Sequence, residues 1–186
     1  MDFKYFRSVV VSQLFAVARR PWLFPELLMN KKDDFWINHS AKKWFLSNAK
    51  GKRVFEYVSG YSTDFLAGVC KEIISVEGNP LWFKSSSKKK MKNKKVVLRT
   101  SKNAYVNEIA KHGMFDLVFV DAEYRSECAK KAWQHLKRGG VLVLDDANSI
   151  AHAKAIYDSF SGKKFKLGGL KSNTGGYWET GFVIKN

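Results

Sequence analysis

The chain is poor in cysteine, with two in 186 residues. Cys70 and Cys128 are too few for a disulfide framework, and without a C-x-x-C pair they offer no thiolate metal knuckle. Both fall in segments that read as helix, where cysteine behaves as a small buried hydrophobe. Such usage fits a reducing, cytoplasmic compartment. Long apolar runs are also missing. The most apolar early stretch, "SVVVSQLFAVA" at 8–18, is far short of the roughly 20 residues of a membrane span, so no transmembrane segment is expected. Ala16-Val17-Ala18 looks like a signal-peptidase site, yet Arg19-Arg20 follow it directly and Asp2 interrupts a basic leader, which argues against export. Histidine numbers four, and none of His39, His112, His135 and His152 is paired at metal-ligand spacing. No internal repeat shows. Acids are scarce: 17 against 33 Lys and Arg, for a formal net charge of +16. That excess either keeps the protein soluble or suits an anionic partner such as nucleic acid, acidic glycan or lipid headgroups.

What is present reads as one globular domain. The chain is 45% hydrophobic and 27% charged, and its length supports a genuine core. Residues 1–50 read as an aromatic-rich, helical N-terminal cap. Phe3, Phe6, Val10, Leu14 and Val17 recur at helical spacing, predicting an amphipathic helix that packs on the domain or lies on a membrane surface. Pro21 and Pro25 end it. Ser40 is expected to cap a short helix, 41–48, stopped by Gly51. From 51 to 186 strand and helix patterns alternate. "RVFEYV", "EIISVE", "KKVVLR", "FDLVFVD" and "VLVLDD" read as strands, and amphipathic stretches separate them. Asn79-Pro80 is a helix start, and Gly139 the expected stop of the helix "RSECAKKAWQHLKRGG". Such alternation implies a parallel sheet covered on both faces, with "FDLVFVD" and "VLVLDD" as central strands. "KFKLGG" and "ETGFVIKN" have no helix between them and should form an antiparallel edge pair. The basic segment 84–95, "KSSSKKKMKNKK", is a solvated loop or an anion-binding patch.

In an open parallel sheet, ligands bind at the carboxyl ends of the strands. Acids recur there: Glu56, Glu77, Asp121 and the pair Asp145-Asp146. Between the first two lies the turn Ser59-Gly60-Tyr61, followed by a helix start at Ser62-Thr63, whose free N–H groups suit a carboxylate or phosphate. Glu77, about 20 residues on at the end of the second strand, is placed to accept hydrogen bonds from ribose hydroxyls. The pattern favours a ribose-bearing ligand with an anionic group, which describes both a dinucleotide and S-adenosylmethionine. Val58 stands where such loops usually carry their first glycine. A β-branched residue is disfavoured at positive φ, so either the turn runs at negative φ or the isopropyl group narrows the pocket.

The ordered set "VFEYVSGYSTDFLA", "IISVEGNPLWF" and "FDLVFVDAEYRSECAKKAWQHLKRGGVLVLDDA" resembles the class I S-adenosylmethionine-dependent methyltransferases. Within them it is similar to a branch with an E-x-G-S-G-x-S-T loop, S-V-E before the second helix and F-D-L-x-x-V-D-G-x-x-R in the fourth strand. Val58 and Ala122 replace two of that branch's glycines. The closing "GYWETGFVIKN" also resembles the branch, and the likeness covers about residues 45–186. It implies a Rossmann-like, doubly wound sheet of about seven strands, mostly parallel with the last antiparallel.

By the same resemblance the cofactor would be S-adenosylmethionine. Glu56, Ser59 and Gly60 would flank its methionine part, and Ser62 and Thr63 would serve its carboxylate. Glu77 would hold the ribose, and Ser101 and Lys102 would flank adenine. Asp121 would lie near the reactive methyl and the acceptor, a small molecule or a saccharide. Asp121, Asp145 and Asp146 are the expected catalytic group. They also resemble the positions where metal-dependent O-methyltransferases hold Mg²⁺, but the expectation is a hydrogen-bonded acid pair capping the next helix, with Asp145 or Asp146 near the acceptor and no metal. Arg125 orients an anionic acceptor or merely starts its helix. His152 serves as a base near the acceptor or lies on a helix surface. Gly168-Gly169 and Gly175-Gly176 border a loop that closes over the acceptor or simply connects strands. A rival expectation is a degenerate, non-catalytic module that binds nucleic acid or membrane through its basic face. A nicotinamide-dependent oxidoreductase is disfavoured by the poor glycine fingerprint and by the acid pair that ends the fifth strand.

Overall fold

A computed structural model describes residues 3–27, 35–148, 151–171 and 176–186, and their side chains except those of 3–10, 27 and 151–153. In chain order the elements are α1 (Phe3–Arg19), a 3-10 turn (Pro21–Leu23), α2 (Phe24–Leu27), α3 (His39–Asn48), β1 (Arg53–Tyr57), α4 (Tyr61–Ala67), β2 (Glu72–Glu77) and α5 (Pro80–Ser86). They continue with β3 (Lys94–Leu98), α6 (Lys102–Asn107), a second 3-10 turn (Glu108–Lys111), β4 (Phe115–Val120), α7 (Arg125–Gln134), β5 (Leu136–Leu144), α8 (Ala151–Ser159), β6 (Lys163–Leu170) and β7 (Tyr177–Ile184).

The seven strands form one sheet in the order β3-β2-β1-β4-β5-β7-β6. All neighbours pair in parallel except β7, which runs antiparallel to both β5 and β6. This is the expected doubly wound, Rossmann-like arrangement, with the apolar runs of β4 and β5 inside the sheet. The sequence order β1-β2-β3 proceeds outward in one direction, and β4-β5 in the other. The reversal between β1 and β4 opens a crevice at their carboxyl ends.

Strand side chains alternate between faces, and the two buried clusters follow that period. Phe55, Tyr57, Ile74, Val76, Val118 and Val120 pack with Tyr105, Ile109, Cys128, Ala129 and Ala132 on one face. Val54, Ile73, Leu117, Phe119, Val143 and Phe182 pack with Phe35, Phe45 and Leu66 on the other. Helix α3 belongs to this second layer: Phe45 is fully buried and meets Phe35, Trp44, Phe119 and Phe182 ring to ring. Both cysteines are buried and unpaired, as small hydrophobes should be.

Local boundaries depart from expectation in three places. Helix α3 starts at His39, because Asn38 rather than Ser40 is its cap: Asn38 Oδ1 accepts from Ala41 N–H at 2.9 Å. Helix α7 ends at Gln134, five residues before Gly139. Leu136 already pairs with Phe115, and the ladder shifts register before Leu117 and Val141 resume it. Gly139, at φ +71, therefore sits in an irregular strand and stops no helix. Glu56 is the penultimate residue of β1, not its end, so the two-residue period turns it beneath α4, away from the rim. Among the described residues no helix is long and apolar enough to cross a membrane.

Candidate functional site

The turn after β1 is the focus of the crevice. Val58 adopts φ +112, a conformation that L side chains with a branched Cβ rarely take. Its N–H donates to Val76 O at 3.0 Å, which keeps the chain in the ladder for one residue beyond the strand. The next N–H, of Ser59, donates to Glu77 Oε2 at 2.8 Å, and the Ser59 hydroxyl reaches the same oxygen at 2.9 Å. Ser59 Oγ also shares a 2.9 Å hydrogen bond with Ser86 Oγ. Asn79 N–H donates to Glu77 Oε1 at 2.8 Å. Glu77, the last residue of β2, therefore ties the β1 turn to the start of α5. Of about four lone-pair sites on a carboxylate, these bonds leave one.

Helix α4 starts without a side-chain cap at Gly60. The Gly60 N–H instead donates forward to Thr63 Oγ1 at 3.0 Å. Glu56 supports this start from below. It is fully buried, and its carboxylate accepts from the hydroxyls of Ser62, of Thr63 at 2.6 Å and of Ser75 at 2.6 Å. Burial outweighs those hydrogen bonds and pushes Glu56 up to about 7.

Two cavities open on either side of this turn. The smaller, about 230 Å³, is lined by Phe35, Trp36, Val58, Ser59, Gly60, Tyr61, Ser62, Trp82, Phe119 and Asp121. The larger, about 410 Å³, is lined by Val58, Glu77, Gly78, Asn79, Pro80, Arg99, Thr100, Ser101, Tyr105, Asp121, Ala122, Glu123 and Tyr124. Val58 and Asp121 belong to both walls. The isopropyl group therefore stands where the two spaces meet.

The rim of the smaller cavity is aromatic. Trp36 lies 5.9 Å from Tyr61 and 6.0 Å from Trp82 between ring centroids. All three remain about two-fifths exposed, at 40%, 39% and 41%. Three apolar rings from three separate segments, left open to solvent around a cavity, form a surface suited to stacking against a flat ligand.

Asp121, Asp145 and Asp146 converge below this point, with one carboxylate oxygen from each lying within 4.8 Å of the others. Asp121 Oδ1 accepts from Arg125 Nη2 at 2.5 Å. Lys171 Nζ lies 2.6 Å from Asp145 Oδ2 and 2.5 Å from Asp146 Oδ1. Thr180 Oγ1 donates to Asp145 Oδ1 at 3.0 Å and accepts from Asn38 Nδ2 at 2.9 Å. Burial, and after it the Asp145 charge, raises the Asp121 carboxyl above its ordinary range, against the pull of Lys171 and Arg125. Burial works against the Lys171 charge, but the three aspartates hold the ammonium protonated. The donor set has the hard-oxygen chemistry of a magnesium site. It does not fit one as it stands, because a resident ammonium already bridges two of its three carboxylates.

The expected site residues thus divide. Ser59, Gly60, Ser62, Glu77, Ser101 and Asp121 line the paired cavities. Glu56 and Thr63 line neither and act beneath the loop. Lys102 lines neither: its ammonium pairs with Glu127 at 2.5 Å and lies over the Tyr124 ring. Arg125 packs on Asp121, and Asp145 is fully buried behind it. The His152 side chain and Gly175 lie outside what the structure describes. The basic segment 84–95 is not uniformly solvated, since the Lys94 side chain is buried and pairs with Asp64 at 2.7 Å. Sequence reasoning missed Trp36, Tyr61, Trp82, Arg99, Tyr105 and Tyr124 as cavity walls, and Lys171 as the partner of the acid pair. An aromatic cluster in 1–50 was visible, but nothing local places Trp36 against Trp82.

No protein-family model matches the sequence, and no curated protein does. Solved structures do match by shape. The O-methyltransferase TomG of Streptomyces achromogenes, involved in tomaymycin synthesis, superposes with a TM-score of 0.66 at 15% identity, over 99% of this chain and 100% of that one. An O-methyltransferase of Bacillus cereus, solved with S-adenosylhomocysteine, gives 0.62 at 17%, over 97% and 100%. An rRNA methylase of Streptococcus thermophilus gives 0.61 at 12%, over 80% and 96%. The chain has the Rossmann-like fold of these methyltransferases.

Proposed function

We propose that the protein is an S-adenosylmethionine-dependent methyltransferase acting on a small acceptor. The observation that carries this reading is the pair of cavities meeting at Val58 and Asp121, with Glu77 in the wall of the larger one. The residues present fit the cofactor. The open lone-pair site of Glu77 suits a ribose hydroxyl, and Tyr105 and Tyr124 give the larger cavity flat walls for a base. The N–H groups of Ser59 and Gly60 are already donated to Glu77 and Thr63, and the Ser62 proton to Glu56, so what this wall offers an amino-acid end is the remaining lone pairs of the Ser62 oxygen, which suit its ammonium. When bound, the cofactor supplies an electrophilic methyl group on a sulfonium. The chain's own part is positioning: Asp121 stands at the junction of both cavities, where it can hold or take the proton of an acceptor hydroxyl. Trp36, Tyr61 and Trp82 favour an acceptor with a flat apolar face, aromatic or glycosidic, over an extended polymer. The resemblance to the E-x-G-S-G-x-S-T branch, which leans towards a small-molecule or saccharide acceptor, is compatible with this.

Titration calorimetry tests the reading. S-adenosylmethionine and S-adenosylhomocysteine are expected to bind at a single site, and NAD is not. Absence of binding by the first two would remove it. Salt-sensitive retention on polyanions, in that case, would favour the rival module that uses its basic face.

A further inference from the structure

Three carboxylates converge at the rim, yet they do not await an ion. Lys171, the residue that follows β6, sends its ammonium into the group with only 7% of its side chain exposed. Its backbone is fixed on both sides: it bridges Asn38 in antiparallel fashion, and its carbonyl accepts from Gln13 Nε2 at 3.3 Å. The ammonium also lies 5.2 Å from the Trp178 ring centroid. Asp146 takes φ +57, a left-handed bend in the chain next to the fully buried Asp145. Arg125 completes the set, 2.5 Å from Asp121 and 3.6 Å from Asp146. Three carboxylates face two cations, and Asp121 is the member of the group that lines both cavities.

Resting on the methyltransferase reading, we propose that Lys171 is this site's built-in cation. It is a positioning residue that holds Asp145 and Asp146 from the inside, occupies the space a divalent metal would need, and leaves Asp121 as the carboxylate turned to the acceptor. Removing the ammonium leaves three carboxylates against one guanidinium, a hard-oxygen cluster with a net charge that favours a divalent ion. The lysine therefore makes the site metal-independent, and its loss creates a metal site.

Manganese is the probe, read by the loss of the free Mn²⁺ paramagnetic resonance signal and by thermal unfolding with and without the ion. The wild-type protein is expected to show no stoichiometric site at micromolar Mn²⁺ and no shift of its unfolding midpoint. Lys171→Ser is expected to bind one Mn²⁺ at least tenfold more tightly than wild type, and to unfold at higher temperature when the ion is present. Lys171→Arg keeps a cation in place and is expected to behave as wild type. If Lys171→Ser folds only with Mn²⁺ present, that also supports the proposal. If it does not fold at all, Lys171→Ser combined with Asp145→Asn, which sheds one negative charge and keeps an oxygen donor, carries the same expectation. A tight single Mn²⁺ site in the wild type, or equal Mn²⁺ affinity in wild type and folded serine variants, overturns the proposal. Binding of S-adenosylhomocysteine is measured in parallel: its absence in wild type counts against the methyltransferase reading alone, whereas the manganese result bears on Lys171 alone.

Discussion

Val58 concentrates the tension between stability and ligand access, and it gives a test with a sign. A β-branched residue held at φ +112 costs about 1–3 kcal/mol relative to a relaxed backbone. Val58→Gly removes that cost. It also loses part of a half-buried isopropyl group, about 1 kcal/mol, and adds about 0.5–1 kcal/mol of unfolded-chain freedom. The glycine variant alone should therefore lie within about 1–2 kcal/mol of wild type, which decides little. Val58→Ala supplies the control. Alanine also loses most of the isopropyl contacts but retains a Cβ, which costs about 1–2 kcal/mol in left-handed backbone. The glycine variant is thus expected to be more stable than the alanine variant by about 0.5–1 kcal/mol, whereas at ordinary φ glycine is the less stable of the two by about as much. Urea unfolding resolves this. With a slope of about 2 kcal/mol per molar, the midpoints should differ by about 0.25–0.5 M. An alanine variant as stable as the glycine variant would refute positive φ at this turn. Because the same side chain stands between the two cavities, Val58→Gly should also tighten S-adenosylhomocysteine binding several-fold; unchanged affinity would show that the isopropyl group does not narrow the passage.

Other expectations follow from the same network. Glu56 binds its proton more tightly folded than unfolded, since burial raises it from 4.5 to about 7. The folded state then holds the extra proton between those pH values, so stability falls as pH rises through that window, by about 3 kcal/mol in all. Glu56→Gln, which mimics the protonated form, should flatten the urea midpoint between pH 5 and 8; an unaltered slope would mean another group titrates. Glu77→Gln retains one acceptor oxygen of the two that hold Ser59 and Asn79, and is expected to weaken S-adenosylhomocysteine binding at least tenfold, about 1.4 kcal/mol, with calorimetry as the check. Indole fluorescence should change when a cavity ligand binds, and the change should vanish in Trp36→Phe with Trp82→Phe, while Trp133, packed on Phe160, contributes none of it. Phe45→Ala, deep in the second layer, should cost about 3–5 kcal/mol of stability in urea unfolding.

The alternation of strands and helices was legible because apolar runs and helical periodicity are local properties, written in consecutive residues such as those of β4 and β5. The antiparallel ending was legible for the same reason, since no helix separates "KFKLGG" from "ETGFVIKN". Glu77 was legible because its distance from the loop is fixed by one helix and one strand. Glu56 was only half legible: the residue type suggested a rim carboxylate, but the two-residue period of β1 decides its face, and a count from the strand end that is wrong by one reverses it. Asn38 was overlooked as a helix cap because Ser40, two residues later, offers the same chemistry. Only Asn38 also meets Thr180 and Leu167 O. Lys171 was not legible at all. Nothing in "GGLKS" marks this lysine out among the 33 lysines and arginines of the chain. It becomes singular because β7 inserts between β5 and β6, and because Thr180 of β7 and the residue that follows β6 both reach Asp145. A resemblance to metal-dependent enzymes at Asp121, Asp145 and Asp146 therefore covers only part of the charged group. The carboxylates are local to two strand ends, and a sequence pattern captures them. The cation that answers them arrives from a third strand at the far edge of the sheet, so a tethered ammonium and a bound metal remain indistinguishable until the strands are assembled.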